Sequence, residues 1–288
     1  MTAREIEKKL LSYGIEDAGG ETCLILERLF GLNRANLMAD RERDFSSSEL
    51  DGILEKRKDR IPLQYIFGDW EFMGKRFLVS PECLIPQPDT EILVEKALDI
   101  IKERKSQGER EQNGESALSV ADLCTGSGCI GLSLLMYGDV EAVMMMDLSE
   151  GALKMAKKNA ELHGLSDRCH FMLGDIRTEL PWEKFDLIVS NPPYIPSRDI
   201  ESLSDEVKKE PRLALDGGED GLDLIRFLIG DGLKYLKKNG AMLIEFGYDQ
   251  GKIMDTLLRQ KRDTGSIKSY EILKDYGGND RVAVIWAN

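Results

Sequence analysis

Hydrophobic positions along this 288-residue chain change their spacing twice. Over residues 1–62 they recur at helical intervals. "AREIEKKLLSYG" places Ile6, Leu10 and Leu11 along a helix that stops at Gly14, and "GETCLILERLFG" predicts a second helix ending at Gly31. "SSSELDGILEKRKDR" begins with serines suited to capping, with Glu49 placed as the partner of a capping box. No strand signal precedes Tyr65. Residues 64–80, "QYIFGDWEFMGKRFLVS", carry two aromatic-rich runs around "MGK" and predict a β-hairpin. "PECLIPQPDTE" is an extended connector, because a residue ahead of proline is pushed out of the helical region. "TEILVEKALDIIKER" is an amphipathic helix with Thr90 as its candidate cap. "KSQGEREQNGES" is polar and glycine-containing, and predicts a surface loop.

From Leu118 onward, strand and helix patterns alternate. The strands expected are "LSVADL", "VEAVMMM", "CHFML", "FDLIV", "AMLIEF", "SYEIL" and "RVAVIW". Between them lie the helical stretches "SEGALKMAKKNAELHG", "GLDLIRFLIGDGLKYLKKNG" and "GYDQGKIMDTLLRQ". Continuous apolar strands separated by amphipathic helices predict a mostly parallel sheet covered on both faces. Only "KDYGGND" separates the last two strands, so they should pair as a hairpin with the final strand antiparallel. The organisation expected is a helical domain over residues 1–62, a hairpin and connector over 63–87, and an α/β domain over 88–288.

Composition narrows the function without naming it. The chain is 42% hydrophobic and 32% charged, ordinary for a soluble protein with a real core. No apolar run approaches the ~20 residues of a membrane span. The opening "MTAREIEKKLLSYG" lacks the apolar centre of a signal peptide, so the expected location is cytoplasmic, with no membrane partner. A net charge of −13 opposes direct binding to extended nucleic acid, which is held largely through neutralised phosphates. The five cysteines are odd in number and contain no C-x-x-C pair, so neither a disulfide framework nor a metal site is expected. The two histidines, His163 and His170, both read as structural and leave little for a Ser-His-Asp triad.

The candidate chemistry lies at the ends of the strands. "VADLCTGSGCIG" sets Gly126, Gly128 and Gly131 in a G-x-G-x-x-G pattern after a strand and before a helix. Such glycines permit a sharp turn and close approach of a ligand to the helix N-terminus. Dinucleotides and S-adenosylmethionine both use the pattern, and a plain tight turn would also produce it. Asp147 ends the second strand, where a carboxylate can accept from two ribose hydroxyls; as a structural residue it would cap the next helix. Asp175 ends the third strand beside Ile176. This pair can read an adenine amine and pack its ring, or make a turn. "NPPY", Asn191 to Tyr194, closes the fourth strand with two prolines that cannot continue a ladder. All four positions fall on one rim of the sheet, where open α/β sheets bind ligands.

Taken together, "DLCTGSG", the acid after the second strand and "NPPY" resemble the amino-methylating S-adenosylmethionine-dependent methyltransferases. The seven-stranded, Rossmann-like doubly wound sheet with an antiparallel last strand suits that class. "RIPLQYIFGDWEFMGKRFLVSPECLIPQPDTEILVE", "EPRLALDGGEDGLDLIR" and "KDYGGNDRVAVI" are similar to the PrmC/HemK family of release-factor glutamine methyltransferases. The helical first part resembles that family only in size and character. The resemblance implies methyl transfer from S-adenosylmethionine, leaving S-adenosylhomocysteine, to the side-chain amide nitrogen of the glutamine in the GGQ loop of class I peptide release factors. The helical domain would help to hold the release factor.

Carried over by motif, the cofactor loop falls on Cys124, Thr125, Gly126, Ser127 and Gly128. The ribose acid falls on Asp147, and the adenine side on Asp175 and Ile176. Asn191 lies near the cofactor, and Asn191, Pro192, Pro193 and Tyr194 bind the target glutamine. The Asn191 side-chain oxygen and the Pro192 carbonyl would each accept one N–H of the amide, and Tyr194 would pack on its planar face. Two departures stand out. Gln87 occupies the place of the family's usual arginine in I-P-R-P-[DE]-T-E. Cys124 occupies a frequent glycine position, which implies that this position has no need of positive φ. Three rival readings are a glutamine methyltransferase acting on a large-subunit ribosomal protein, a nucleic-acid adenine methyltransferase, and a non-catalytic dinucleotide-binding module. Pro88, Asp89, Thr90 and Glu91 favour the release-factor branch, because the ribosomal-protein branch lacks the P-x-T-E connector.

Overall fold

A computed structural model describes residues 1–32, 35–36, 43–106, 118–180 and 184–288. The polar loop expected after helix "TEILVEKALDIIKER" falls, beyond Ser106, outside the described residues. The chain forms two units, Met1–Gly68 with Ser204–Lys209, and Asp69–Leu203 with Glu210–Asn288.

The first unit holds α1 (Ala3–Ser12), α2 (Ala18–Phe30), α3 (Ser48–Lys58) and α4 (Leu63–Phe67). Ile6, Leu10, Ile25, Leu26, Leu50 and Leu54 meet in its core, while Leu11, one position off that face, stays exposed. A capping box does form, but at Thr2 and Glu5 of α1. At α3 the cap is Ser47, which accepts from the Leu50 N–H at 3.1 Å; Glu49 sits one residue too early to return the bond. "QYIF" is helical where a strand was expected. Pro62 ahead of it and left-handed Gly68 behind it bracket a single turn, and the hairpin starts only at Asp69.

Arg57 is the unit's one fully buried cation among the described residues, at 1% exposure. Its guanidinium donates to Glu21 at 2.7 and 2.8 Å, to Glu206 at 2.7 Å and to the Ile61 carbonyl at 2.6 Å. These bonds supply the pairing a buried charge requires.

The second unit opens with β1 (Asp69–Phe72) and β2 (Lys75–Leu78), joined by Met73 and Gly74 with φ of 50° and 67°. Two successive left-handed residues make the turn that matches strand twist in a two-residue hairpin. Helix α5 (Pro88–Ser106) starts with proline, whose missing N–H costs nothing at that position. Thr90 is therefore inside the first turn and buried, and it is not the cap that the pattern suggested.

Strands and helices then alternate: β3 (Ser119–Leu123), α6 (Cys129–Tyr137), β4 (Ala142–Asp147), α7 (Glu150–Leu162), β5 (Cys169–Leu173), β6 (Phe185–Ser190), α8 (Arg212–Leu215), α9 (Asp223–Leu228), β7 (Leu236–Glu245), α10 (Gly251–Asp263), β8 (Ser269–Lys274) and β9 (Asp280–Trp286). All seven expected strands form one sheet in the order β5-β4-β3-β6-β7-β9-β8, with β9 antiparallel to both neighbours. Side chains alternate across it. Val120, Val143 and Val189 face α5 and α6, whereas Ala121, Met146 and Ile188 face α9 and α10.

One helix was overextended by the periodicity. "GLDLIRFLIGDGLKYLKKNG" gives α9, a 3₁₀ turn at Asp231–Tyr235 and the first half of β7. Gly230 and Gly232 weaken the helix, and pairing of Leu236 with Phe185 captures the residues beyond them. The β6–β7 register shifts between Phe185 and Leu187, and Asn239 turns left-handed at φ 58°. No helix among the described residues is long and apolar enough to cross a membrane.

Candidate functional site

The parallel strands β3, β4, β5 and β6 all end on one edge, and the four candidate segments follow those ends. After β3 the chain turns left at Cys124, with φ 61°. The cysteine therefore does not relax the glycine requirement; the position is left-handed, and an L side chain holds it at a cost of about 1–2 kcal/mol. Burial pushes its thiol pKa upward, so it is no ready thiolate.

Beneath the loop lies Asp122, which is fully buried. Its Oδ2 accepts from the Thr125 hydroxyl at 2.6 Å and the Gly131 N–H at 2.9 Å. Burial pushes this carboxyl up to about 7. Gly128, at φ 83°, caps α6, and a Cβ there would meet Met145 Cε at 3.0 Å and Ala156 Cβ at 3.1 Å. Gly126 differs: its N–H donates to Asp147 Oδ2 at 2.8 Å, and a Cβ there would meet nothing within 4 Å. One glycine packs against protein; the other faces open space.

Asp147 ends β4 with its second oxygen accepting from the Ser149 N–H at 2.8 Å. Ser149, not Asp147, is the N-cap of α7. Burial raises the Asp147 pKa while the backbone N–H groups of Ser149 and Gly126 oppose the shift. Asp175 stands after β5 and is gripped by Arg177, with Nη2 at 2.6 Å and Nε at 3.0 Å. That pairing holds its carboxyl below the usual range. The Arg177 N–H also donates to Asp175 Oδ1 at 2.9 Å, so this residue makes a turn as well as facing a cleft. Ile176 is buried in the core on the α9 and α10 side.

"NPPY" follows β6. The Asn191 amide nitrogen donates to Thr90 Oγ1 at 3.2 Å. Pro193 lines the cleft, whereas Pro192 is buried and Tyr194 lines neither cleft. The Tyr194 hydroxyl instead donates to Glu245 Oε1 at 3.3 Å, and its ring packs on the core. Tyr194 is thus tied down from below. Gln250 donates to the Tyr194 carbonyl at 2.9 Å, and Ile195 N–H donates to Leu215 O at 2.9 Å, bracing the segment further.

The connector motif also acquires a physical meaning. Asp89 pairs with Arg281 at 3.3 Å, Thr90 meets Asn191, and Glu91 accepts from the Met73 N–H of the hairpin turn at 2.6 Å. Gln87 donates to the Ile85 carbonyl at 3.1 Å and lines the cleft where the family arginine would stand.

Two adjoining clefts open along this rim. One encloses about 890 Å³, solvent included, and is lined by the glycine loop, Gln87, Thr90 and Asn191. The other encloses about 730 Å³ and is lined by Asp175, Ile176 and Arg177. Cys124, Asp147 and Pro193 belong to both, so Asp147 stands midway along one elongated groove. Asp122, Glu245 and Gln250 were missed as supporting residues. Asp122 lay in plain view inside "DLCTGSG", but Glu245 sits in an otherwise apolar strand and only its burial reveals it.

A release factor glutamine methyltransferase of Geobacter sulfurreducens is 38% identical to this chain over 277 residues, covering 95% of the chain and 91% of the relative. The chain belongs to the release factor glutamine methyltransferase family. The family member from Moorella thermoacetica is 36% identical over 280 residues, covering 96% of this chain and 94% of its own. The PrmC N-terminal domain matches residues 3–68, and the methyltransferase small domain matches residues 111–218. A methyltransferase structure from Pyrococcus furiosus shares the fold, with a TM-score of 0.54 at 17% identity over 81% of this chain and 98% of that one. The seven-stranded methyltransferase fold expected from the alternating pattern is the one this family member has.

Proposed function

We propose that this family member transfers the methyl group of S-adenosylmethionine to the side-chain amide nitrogen of the glutamine in the GGQ loop of class I peptide release factors. The observation that carries the reading is the meeting of Asn191 and the glycine loop in a single groove. The fit to the cofactor is supported by the open face of Gly126 and by the groove's length, with an acid at its middle. Cys124, Thr125, Gly126, Ser127 and Gly128 would cradle the amino-acid end, Asp147 the ribose, and Asp175 with Ile176 the adenine. When bound, S-adenosylmethionine supplies an electrophilic methyl group on a cationic sulfur.

The chain's own residues then have a defined task. An amide nitrogen is a poor nucleophile because its lone pair is delocalised into the carbonyl. Asn191 Oδ1 and the Pro192 carbonyl each accept one N–H, fixing the nitrogen's orientation and favouring its pyramidal form as positive charge develops. The prolines hold the second acceptor rigid. No side-chain base is required before transfer. The helical domain and hairpin are proposed to hold the release factor.

Mass spectrometry of a release factor incubated with enzyme and S-adenosylmethionine tests the reading. One added methyl group on the GGQ glutamine is expected. An unmodified release factor, with methyl transfer to a ribosomal protein instead, would overturn it.

A further inference from the structure

A proline ring fixes φ, but the direction of the proline's own carbonyl is set by ψ, which the ring leaves open. Two rings in "NPPY" therefore do not by themselves aim the Pro192 carbonyl. A peptide plane usually swings by trading ψ of one residue against φ of the next. The Pro193 ring blocks that trade, so a swing of the Pro192 carbonyl has to be taken up further along, at Pro193 ψ and at Tyr194.

Those torsions are obstructed. Ser190, ahead of the motif, is held in the ladder of β6 opposite Leu123 and Ile244. Ile195, behind it, bridges to Asp216: its N–H donates to the Leu215 carbonyl at 2.9 Å and its carbonyl accepts from the Gly217 N–H at 2.8 Å. Between these ends Gly217 lies against the backbone. A Cβ there would meet the Pro193 carbonyl oxygen at 2.7 Å and Tyr194 Cα at 2.8 Å.

The Tyr194 carbonyl falls to Gln250. This residue is 6% exposed and stands at the N-cap of α10, yet its side chain caps nothing. Its Nε2 donates to the Tyr194 carbonyl at 2.9 Å and to the Gly221 carbonyl at 3.4 Å, while Oε1 accepts from the Gly247 N–H at 2.8 Å. These partners fix the setting of the amide, because the reverse would put an oxygen against two carbonyls and an N–H₂ against an N–H. One side chain thereby ties the segments after β6 and β7 to the loop ahead of α9. Gly221 belongs to the same knot: its φ is 78°, and a Cβ there would collide with the Tyr194 carbonyl oxygen.

We infer that Gln250 is a positioning residue that locks the backbone of "NPPY" from behind, so that the Pro192 carbonyl keeps the single direction the amide clamp needs. The inference rests on the amide-clamp reading of Asn191 and Pro192 given above.

The test compares Gln250→Met, Gln250→Glu, Gly221→Ala and Gly265→Ala, using full-length enzyme, S-adenosylmethionine and a class I release factor. Methionine keeps the length and removes all three bonds. Glutamate keeps the acceptor for Gly247 and sets an oxygen against two carbonyls. Gly221→Ala pushes on the Tyr194 carbonyl directly. Gly265, at φ 72° with nothing within 4 Å of a Cβ, is the control for left-handed strain alone. The single-turnover rate constants of the first three should fall about 10- to 100-fold, since a misplacement of about 1 Å can cost ~10²-fold. That of Gly265→Ala should stay near wild type. S-adenosylmethionine affinity and KM for the release factor should hold within about threefold, because positioning acts on the chemical step. A merely structural role would leave a smaller active fraction, read as a lower single-turnover amplitude at an unchanged rate constant. That result, a wild-type rate for Gln250→Met, or a Gly265→Ala as slow as Gly221→Ala would each overturn the inference. A second readout is independent of activity. In the free wild-type enzyme the Gln250 side-chain N–H₂ should exchange slowly with solvent and show a nuclear Overhauser contact to Gly221. Fast exchange without that contact refutes the lock. Slow exchange with the contact, in an enzyme that leaves release factors unmethylated, supports the lock and refutes the proposed substrate alone.

Discussion

Asp147→Ala separates two jobs that one carboxylate performs. In the free protein its oxygens each accept one backbone N–H at 2.8 Å, from Gly126 and Ser149. Each oxygen keeps a further lone-pair site, and Asp147 faces both halves of the groove. A hydrogen bond to a charged group is worth about 1.5–3 kcal/mol. Two ribose hydroxyls on one carboxylate share its charge, and water can enter the space left by alanine. The expected loss is therefore one such bond rather than two, an increase in the S-adenosylmethionine Kd of about 10- to 150-fold at ~1.4 kcal/mol per decade. Calorimetric titration reads this directly. The loop-holding job is read separately, as lost stability of the free enzyme in urea. An S-adenosylhomocysteine analogue lacking a ribose hydroxyl completes the cycle: it should bind wild type weakly but lose little further affinity for Asp147→Ala. Equal penalties for the analogue on both proteins, or an unchanged Kd for Asp147→Ala, would refute the ribose role.

Asn191→Ala should keep its fold and lose methyl transfer by ~10²–10³, with Asn191→Asp weak but measurable in single turnover; a near-wild-type rate for alanine would return "NPPY" to a rigid turn. Deleting residues 1–60 should leave S-adenosylmethionine binding largely intact and strongly reduce methylation of intact release factor; equal activity of the two forms would refute substrate recognition by the helical domain. Arg57→Ala strands the partly buried Glu21, while Glu206 keeps Arg60, and should cost about 3 kcal/mol in denaturant unfolding, whereas a surface-sized loss would show the network to be dispensable. Asp122 and Glu245 are pushed up to about 7 by burial. Each keeps its proton in the folded state at pH values where the unfolded chain has lost it, so its contribution to stability falls as pH rises from the ordinary carboxylate range toward 7. The urea stability of wild type minus that of Asp122→Asn should accordingly be smaller at pH 8 than at pH 5; a pH-independent difference would contradict the burial effect.

Much of this architecture was legible because local and global signals agree. Strands such as "FDLIV" are apolar on both faces, and a sheet covered on both sides is what such strands require. The rim residues Cys124, Asp147, Asp175 and Asn191 could be placed from strand ends alone. The misreadings came where tertiary partners override a periodic pattern. "LKYLKKNG" has helical spacing, yet Leu236 pairs with Phe185 in the sheet. "QYIF" has strand composition, yet Gly68 closes it into a turn of helix. Thr90 has a cap's identity, but Pro88 had already started the helix. The bond from Tyr194 to Glu245 was not legible for a related reason: sequence shows that a phenol is present, not which way it points.

Two buried carboxyl groups tie down a rim that is built from loops. Asp122 gathers Thr125 and Gly131 under the glycine loop, and Glu245 holds Tyr194 under "NPPY". Each leaves one oxygen without a hydrogen-bond partner, Asp122 Oδ1 and Glu245 Oε2. An apolar residue at either place would avoid that desolvation cost, but it would leave the Gly131 N–H or the Tyr194 hydroxyl without its acceptor. It would also release the groups above it. A hydroxyl bonded to a carboxyl group has one orientation, whereas a hydroxyl over a leucine has several. The unsatisfied oxygens are thus the cost of directionality: two desolvated carboxyl groups in the core hold Thr125, Gly131 and Tyr194, and with them the two segments that border the groove.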